Sequence, residues 1–282
     1  MALTPVKEIL KMASDANTSV IAFNCVDYNM IYSVVQAAEK VNKPVICMLY
    51  PEHCTLNNWC TPETFYGACA SAAANVKVPV GVHLDHCQDL SYIIRAIKAG
   101  FSSVMYDGSM LPLEENIANT KKVTEVAHAF GVAVEGELGH VGFAATVTDQ
   151  SNLDMYTKPE IAAKFIEETE ADCLAVAIGS AHGVYKETPR LDIQRLKEIN
   201  EAPDAPLALH GGSGIPDDQL DMAFVNGINK FNVGTEFFHL YYNLLKEYTS
   251  LSDDPAKLFD LAAYVQPKLI DYLVKKLELA KF

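Results

Sequence analysis

Residues 78–108 read VPVGVHLDHCQDLSYIIRAIKAGFSSVMYDG, and their pattern decides the fold. Two short runs, 78–85 and 102–107, are apolar on both faces, as a parallel strand covered by helices must be. Between them, 89–99 has helical periodicity and a start signal at Asp89. Each strand-like run ends in polar residues, His83-Leu84-Asp85-His86 in the first and Asp107-Gly108 in the second. This is a strand–helix–strand unit with chemistry at the carboxyl ends of its strands.

The same unit recurs in both directions. Further strands are expected at 19–24, 43–49, 132–138, 173–179, 206–210 and 230–234. Helical patterns lie at 29–42, 62–75, 112–130, 158–169, 191–200, 216–226 and 236–248, with start signals at Thr61-Pro62 and Ile215-Pro216-Asp217. Eight strands alternating with eight helices predict a (β/α)8 TIM barrel rather than an open sheet. No internal repeat, low-complexity segment or linker divides the chain, so residues 1–282 read as a single domain. Two segments exceed the barrel minimum. Residues 139–157 form a long connection after strand five, a length typical of a lid or binding loop. Residues 253–282 form a C-terminal helical extension, expected to cap the barrel or meet a second subunit.

Composition limits the function classes. The 282-residue chain is 50% apolar, enough for one large core, and its formal charge of −14 argues against a nucleic-acid surface. The seven cysteines, odd in number and without a C-x-x-C pair, read as buried thiols in a reducing compartment. The N-terminal stretch MALTPVKEILKMASDA is an amphipathic helix pattern without the features of a signal peptide. No run approaches the ~18 apolar residues that span a bilayer. A cytoplasmic protein is the expectation.

Catalytic residues of such barrels stand at the carboxyl ends of strands. Here those ends carry Asn24, then Asp85 and His86, Asp107, Glu135-Gly136-Glu137, His182-Gly183, His210-Gly211-Gly212-Ser213 and Asn232-Val233-Gly234-Thr235. Three histidines from three strand ends, His86, His182 and His210, make a catalytic zinc site, since zinc favours imidazole nitrogen and keeps one position open when it works as a Lewis acid. His53, His83, His128, His140 and His239 read as ordinary core or loop histidines, with His83 inward on its strand. Asp85 either orients its neighbour His86 or works as a general base. Asp107 and Glu137 offer oxygen donors for an alternate metal position or a second divalent ion, or they bind water. The glycine-rich turns after strands seven and eight occupy the usual phosphate position of the fold.

A lysine nucleophile, needed for Schiff-base chemistry on the same barrel, is missing from these strand ends, and Lys230 is expected at the start of strand eight, the wrong end. Strand one supplies Phe23-Asn24-Cys25 and no H-x-H pair, which argues against a zinc hydrolase of the amidohydrolase kind.

The motifs AFNC (22–25), HLDH (83–86), SSVMYDGSMLPLEENI (102–117), VEGELGHVG (134–142), YTKPE (156–160), AVAIGSAHGVYK (175–186), LHGGSGIP (209–216) and KFNVGTE (230–236) span nearly the whole chain. In that order they resemble the class II fructose-bisphosphate and tagatose-bisphosphate aldolases. The resemblance implies reversible aldol cleavage of a phosphorylated ketose to dihydroxyacetone phosphate and an aldehyde. It implies Zn2+ on His86, His182 and His210, with Asp85 acting on the hydroxyl that becomes the aldehyde. Asp107 and Glu137 match ligands of a second or displaced divalent metal position. Asn24, Gly183, Gly211, Gly212, Ser213, Asn232, Val233, Gly234 and Thr235 match substrate-binding positions. A monovalent cation (Na+ or K+) near the phosphate, and a homodimer or homotetramer, are implied as well.

The chain departs from the family pattern in three places. Tyr50 stands where a serine is common after strand two. Asp254-Pro255-Ala256-Lys257 replaces D-P-R-K, whose arginine grips a distal phosphate. The loop after strand five reads Gly142-Phe143-Ala144-Ala145-Thr146, leaving Asp149 as the only acid between Leu138 and Leu153. Either the aldehyde lacks a distal phosphate, or another cation such as Lys257 or Lys186 replaces the arginine within a conventional bisphosphate aldolase. A non-catalytic accessory barrel of the same family is the third reading, and the retained histidines and Asp85 argue against it.

Overall fold

The computed structural model describes residues 3–55, 60–139, 156–183, 185 and 187–282. The expectations placed on His140, on the loop at 142–146 with Asp149, and on Lys186 lie outside these residues. Strands β1 (Val20–Asn24), β2 (Val45–Leu49), β3 (Val80–Cys87), β4 (Ser103–Tyr106), β5 (Ala133–Leu138), β6 (Cys173–Val176), β7 (Leu207–Leu209) and β8 (Ile228–Val233) pair in parallel, and β8 returns to β1 to close the barrel. The (β/α)8 fold expected from the sequence is the fold observed.

Helices α1 (Val6–Asp15), α2 (Tyr28–Val41), α3 (Pro51–Thr55), α4 (Pro62–Ala73), α5 (Leu90–Ala99) and α6 (Leu113–His128) come from the first half of the chain. The second half supplies α7 (Pro159–Thr169), α8 (Ile193–Asn200), α9 (Asp217–Val225) and α10 (Thr235–Thr249). A 3-10 turn (Pro255–Asp260) then leads into α11 (Leu261–Glu278), the expected C-terminal extension. The start signals Thr61 and Asp89 each accept a backbone N–H in the first turn of α4 and α5, as Asp27 also does in α2, while α9 starts after Pro216 without a side-chain cap.

Burial divides into two apolar regions. Strand side chains such as Phe23, Cys47, Leu84, Val134 and Phe231 pack outward against the helices. Inside the barrel, Val20, Ala22, Ile46, Met48, Cys173, Ala175 and Ala208 meet Val6, Ile9, Leu10 and Ala13 of α1. The amphipathic N-terminal helix therefore plugs the amino end of the barrel, and polar inward residues are left to the other end. The buried face of α11 (Val265, Leu269, Leu273, Leu277) belongs to the outer layer, and the Lys43 ammonium, just beyond α2, donates to the Leu277 carbonyl. All seven cysteines are buried and unbridged, as expected. Among the described residues no helix is long and apolar enough to cross a membrane.

One irregularity matters for function. On β3, Leu84 pairs with Val104 and Cys87 with Tyr106, so β3 carries one residue more than its partner between these two rungs. His86 sits in this bulge with φ 36°, left-handed backbone that histidine adopts more readily than most residues. Regular strands point consecutive side chains to opposite faces. The bulge allows Asp85 and His86 to face the same space.

Candidate active site

At the carboxyl end of the barrel lies a cavity of about 420 Å³. Of the site residues expected from the sequence, Asn24, Asp85, His86, Asp107, Glu137, His182, Gly183, Gly211, Gly212, Ser213, Asn232, Gly234 and Thr235 line it. His210 is not itself a lining residue; it is fully buried, with Nδ1 3.1 Å from Nε2 of the lining residue His86. Val233 does not line it either. Its side chain is buried among the outward-facing strand residues, so only its backbone can serve a ligand.

The three histidines converge as expected. One ring nitrogen from each of His86, His182 and His210 falls in a group whose atoms all lie within 4.8 Å of one another. A second such group joins His86 to Asp107 and Glu137. Nδ1 of His86 pairs with Oδ2 of Asp107 at 2.9 Å. Oε2 of Glu137 is buried 3.4 Å from Nδ1 of His210 and 3.8 Å from Nδ1 of His86, yet makes no hydrogen bond. Imidazoles beside a carboxylate oxygen without a hydrogen-bond partner form a donor set suited to a divalent cation, zinc above all. Burial, then the charge of His86 and His210, lowers the His182 pKa to about 3 and keeps its ring neutral, the form that ligates metal.

Asp85 is held from both sides. Its Oδ2 accepts from Nδ2 of Asn24 at 2.8 Å and its Oδ1 from Nδ2 of Asn232 at 3.2 Å. Burial pushes this carboxyl up, but the charge of His86, then of His210, Lys230 and His83, overcomes burial and holds it well below the usual carboxylate range. Asp85 is therefore an ionised acceptor fixed by two amide donors. Asn24 and Asn232, expected only to meet substrate, also orient this carboxylate.

The turns after β7 and β8 are built for close backbone approach. Gly211 has φ 67°, and a Cβ there would stand 2.4 Å from the Ala181 carbonyl oxygen. At Gly212 a Cβ would stand 2.1 Å from the Phe231 ring. The 15-residue helix α10 starts at the cavity wall with Gly234 as its N-cap, and the Ser213 hydroxyl accepts from the Glu236 N–H of its first turn at 3.2 Å. Its first N–H groups suit an anion.

Below this mouth lies a buried ionic network that joins the strand-end residues His210 and Glu135 to Lys230, a partner not expected from the sequence. The Lys230 ammonium is 2.9 Å from Oε2 of Glu135, whose Oε1 pairs with Nε2 of His210 at 2.8 Å. Burial pushes the Glu135 carboxyl up, and the Lys230 charge, then the hydrogen bond from His210, hold it well below its ordinary range. The contact with Glu135 directs Nδ1 of His210 towards the metal-ligand group. His83 lies alongside, its Nδ1 2.9 Å from the Ser103 hydroxyl, buried and inward as expected. Lys230 is not at the start of strand eight, because β8 begins at Ile228. Strand periodicity was the available signal, since Glu135 and Lys230 lie two residues before Glu137 and Asn232 and so face the same interior.

The family model described as "Fructose-bisphosphate aldolase class-II" matches residues 4–280. The chain belongs to the class II fructose-bisphosphate aldolase family. Among solved structures, the YdjI aldolase from Escherichia coli K12 is similar at 32% identity, with a TM-score of 0.86 over 98% of this chain and 97% of that one. The fructose-bisphosphate aldolase from Campylobacter jejuni is similar at 25% identity, with a TM-score of 0.82 over 97% of this chain and 93% of that one. Aldol chemistry is thus the general activity of this class II barrel, and metal dependence is typical of the family.

Proposed function

We propose that the protein catalyses the zinc-dependent, reversible aldol cleavage of a phosphorylated ketose to dihydroxyacetone phosphate and an aldehyde. One observation carries the reading: the clamped, ionised Asp85 stands beside the three-histidine group, in a cavity whose glycine turns and helix N-terminus suit a phosphate. A divalent cation held by His86, His182 and His210 would supply Lewis-acid polarisation of the ketone. Asp107 and Glu137, with His86, form the second donor group and would serve a second or displaced metal position.

The chain's own groups account for the proton and the geometry. The phosphate binds at the turns Gly211–Ser213 and Gly234–Thr235, which sets the distance of the ketone from Asp85. Asp85 removes the proton from the hydroxyl on C4 as the C3–C4 bond breaks. The oxygen on C4 becomes the aldehyde carbonyl, and the electron pair of the broken bond passes to the C2–C3 end. A proton added at C3 completes dihydroxyacetone phosphate. Asn24 and Asn232 keep the Asp85 carboxylate aimed throughout.

Chelation provides the test. Protein stripped of metal is expected to lose essentially all cleavage of ketose phosphates and to recover it with stoichiometric zinc, whereas borohydride added with substrate should trap no covalent adduct. Cleavage by verified metal-free protein, or a borohydride adduct, would remove the proposal.

A further inference from the structure

We infer that Tyr50 and Glu52 form the recognition surface for the aldehyde half, and that this half is an uncharged polyhydroxyl chain, so the ketose is phosphorylated at one end only. The inference rests on the aldol reading above and specifies its substrate class.

Charge is the first argument. Apart from histidines, the ionisable lining residues at neutral pH are Glu52, Asp85, Asp107 and Glu137, all carboxylates. Among the described residues, no lysine or arginine lines the cavity. One phosphate is served by backbone N–H groups at the glycine turns. Among the described residues, a second phosphate at the far end of the ketose would meet carboxylates with no guanidinium fork or ammonium to hold it. Lys257 does not line the cavity of its own chain: it lies on the 3-10 turn, paired with Asp260 at 4.0 Å.

Shape is the second argument. Tyr50 follows β2 directly, and its ring is fixed by its neighbours. It meets His53 edge-on at 4.4 Å between centroids, and His53 meets Phe238 edge-on at 4.9 Å. On another side it lies 5.4 Å from the His86 ring, beside the reacting centre. The Tyr50 hydroxyl donates to Oε2 of Glu52 at 2.9 Å. That bond orients both groups and leaves acceptor lone pairs on the phenol oxygen and the carboxylate. An aromatic wall edged by acceptors matches a sugar chain, whose C–H faces pack on rings and whose hydroxyls donate. The same carboxylate repels phosphate.

The test uses zinc-loaded full-length protein and separates the two levels of the argument. Solvent-deuterium exchange into dihydroxyacetone phosphate, without any aldehyde, reports the aldol half-reaction alone. Cleavage of ketose 1-phosphates is compared with that of the matching 1,6-bisphosphates. Exchange should occur, and kcat/KM should favour the 1-phosphates by about tenfold or more. Tyr50→Phe should lower kcat/KM for 1-phosphates by about tenfold, the worth of one hydrogen bond, a larger factor than its effect on exchange. Glu52→Gln should narrow the preference by raising bisphosphate cleavage. A wild-type preference for bisphosphates, or variants that leave the ratio and the 1-phosphate kcat/KM unmoved, would overturn the inference while leaving the aldol reading intact. Absence of exchange in the wild type would overturn the aldol reading, and the inference with it.

Discussion

Replacing Asp85 by asparagine is expected to lower kcat for cleavage by about 10²- to 10⁴-fold, the range supplied by a positioned general base. The substitution is nearly isosteric at a buried position. It removes the charge and the basic oxygens while leaving the packing around β3 in place, so thermal stability should change little. Two roles for Asp85 are separable here. If Asp85 takes the proton from the C4 hydroxyl, cleavage falls steeply, while deuterium exchange into dihydroxyacetone phosphate, which involves no such hydroxyl, falls far less. If Asp85 only orients His86, bound zinc, exchange and cleavage fall together. We expect the first pattern, because Asp85 lies 4.0 Å from Nε2 of His86 and spends its shorter contacts on Asn24 and Asn232. Equal losses in all three measurements would refute the proton-transfer role.

The second large effect is on stability. Lys230→Met should destabilise the fold by about 3–5 kcal/mol, because breaking a buried pair from one side strands the remaining charge. That charge is the Glu135 carboxylate, left with His210 as its close partner. The variant should also bind zinc more weakly, since Glu135 orients His210 and its hold on that ring loosens. The double variant Lys230→Met with Glu135→Gln removes the stranded charge and keeps an acceptor oxygen for His210. It should therefore recover much of the loss in urea denaturation. A single variant as stable as the wild type, or a double variant no better than a destabilised single, would show that the network is not charge-paired as described.

How much of this could be read from the sequence depended on where each residue sits along its strand. Residues at the rim were legible. His86, Asp107, His182 and the glycine turns interrupt apolar runs at the point where every strand of a parallel barrel reaches the same mouth. Residues one layer deeper were not. Glu135 reads as one of the strand-five end residues and Lys230 as a strand start, and seeing that the two meet in the interior requires the phase of both strands. For β8 the expected start at 230 was two residues late, which put Lys230 at a strand end rather than inside the barrel. That Asp85 and His86 continue the strand and yet share one side was not legible either, because alternation should send one of them outward. The bulge resolves it, and nothing in residues 83–87 announces a bulge. The short helix α3 was missed as well, with only five residues to show a period. That helix carries Glu52 and His53, so the aromatic wall became visible only in three dimensions.

The seat of α11 on the outer layer bears on how the molecule comes together in time. The hydrogen bond from Lys43 to the Leu277 carbonyl joins positions 234 residues apart in sequence. The apolar side of α2 thus awaits a cover that only a very long chain loop can deliver. Folding dominated by such distant partners is slow. An intermediate with the strands closed but α11 undocked would expose the buried face of α11 (Val265, Leu269, Leu273, Leu277) and the surface it covers, a sticky region that invites association with other incomplete chains. Refolding yield should accordingly fall with protein concentration more steeply than the stability of the finished barrel would imply.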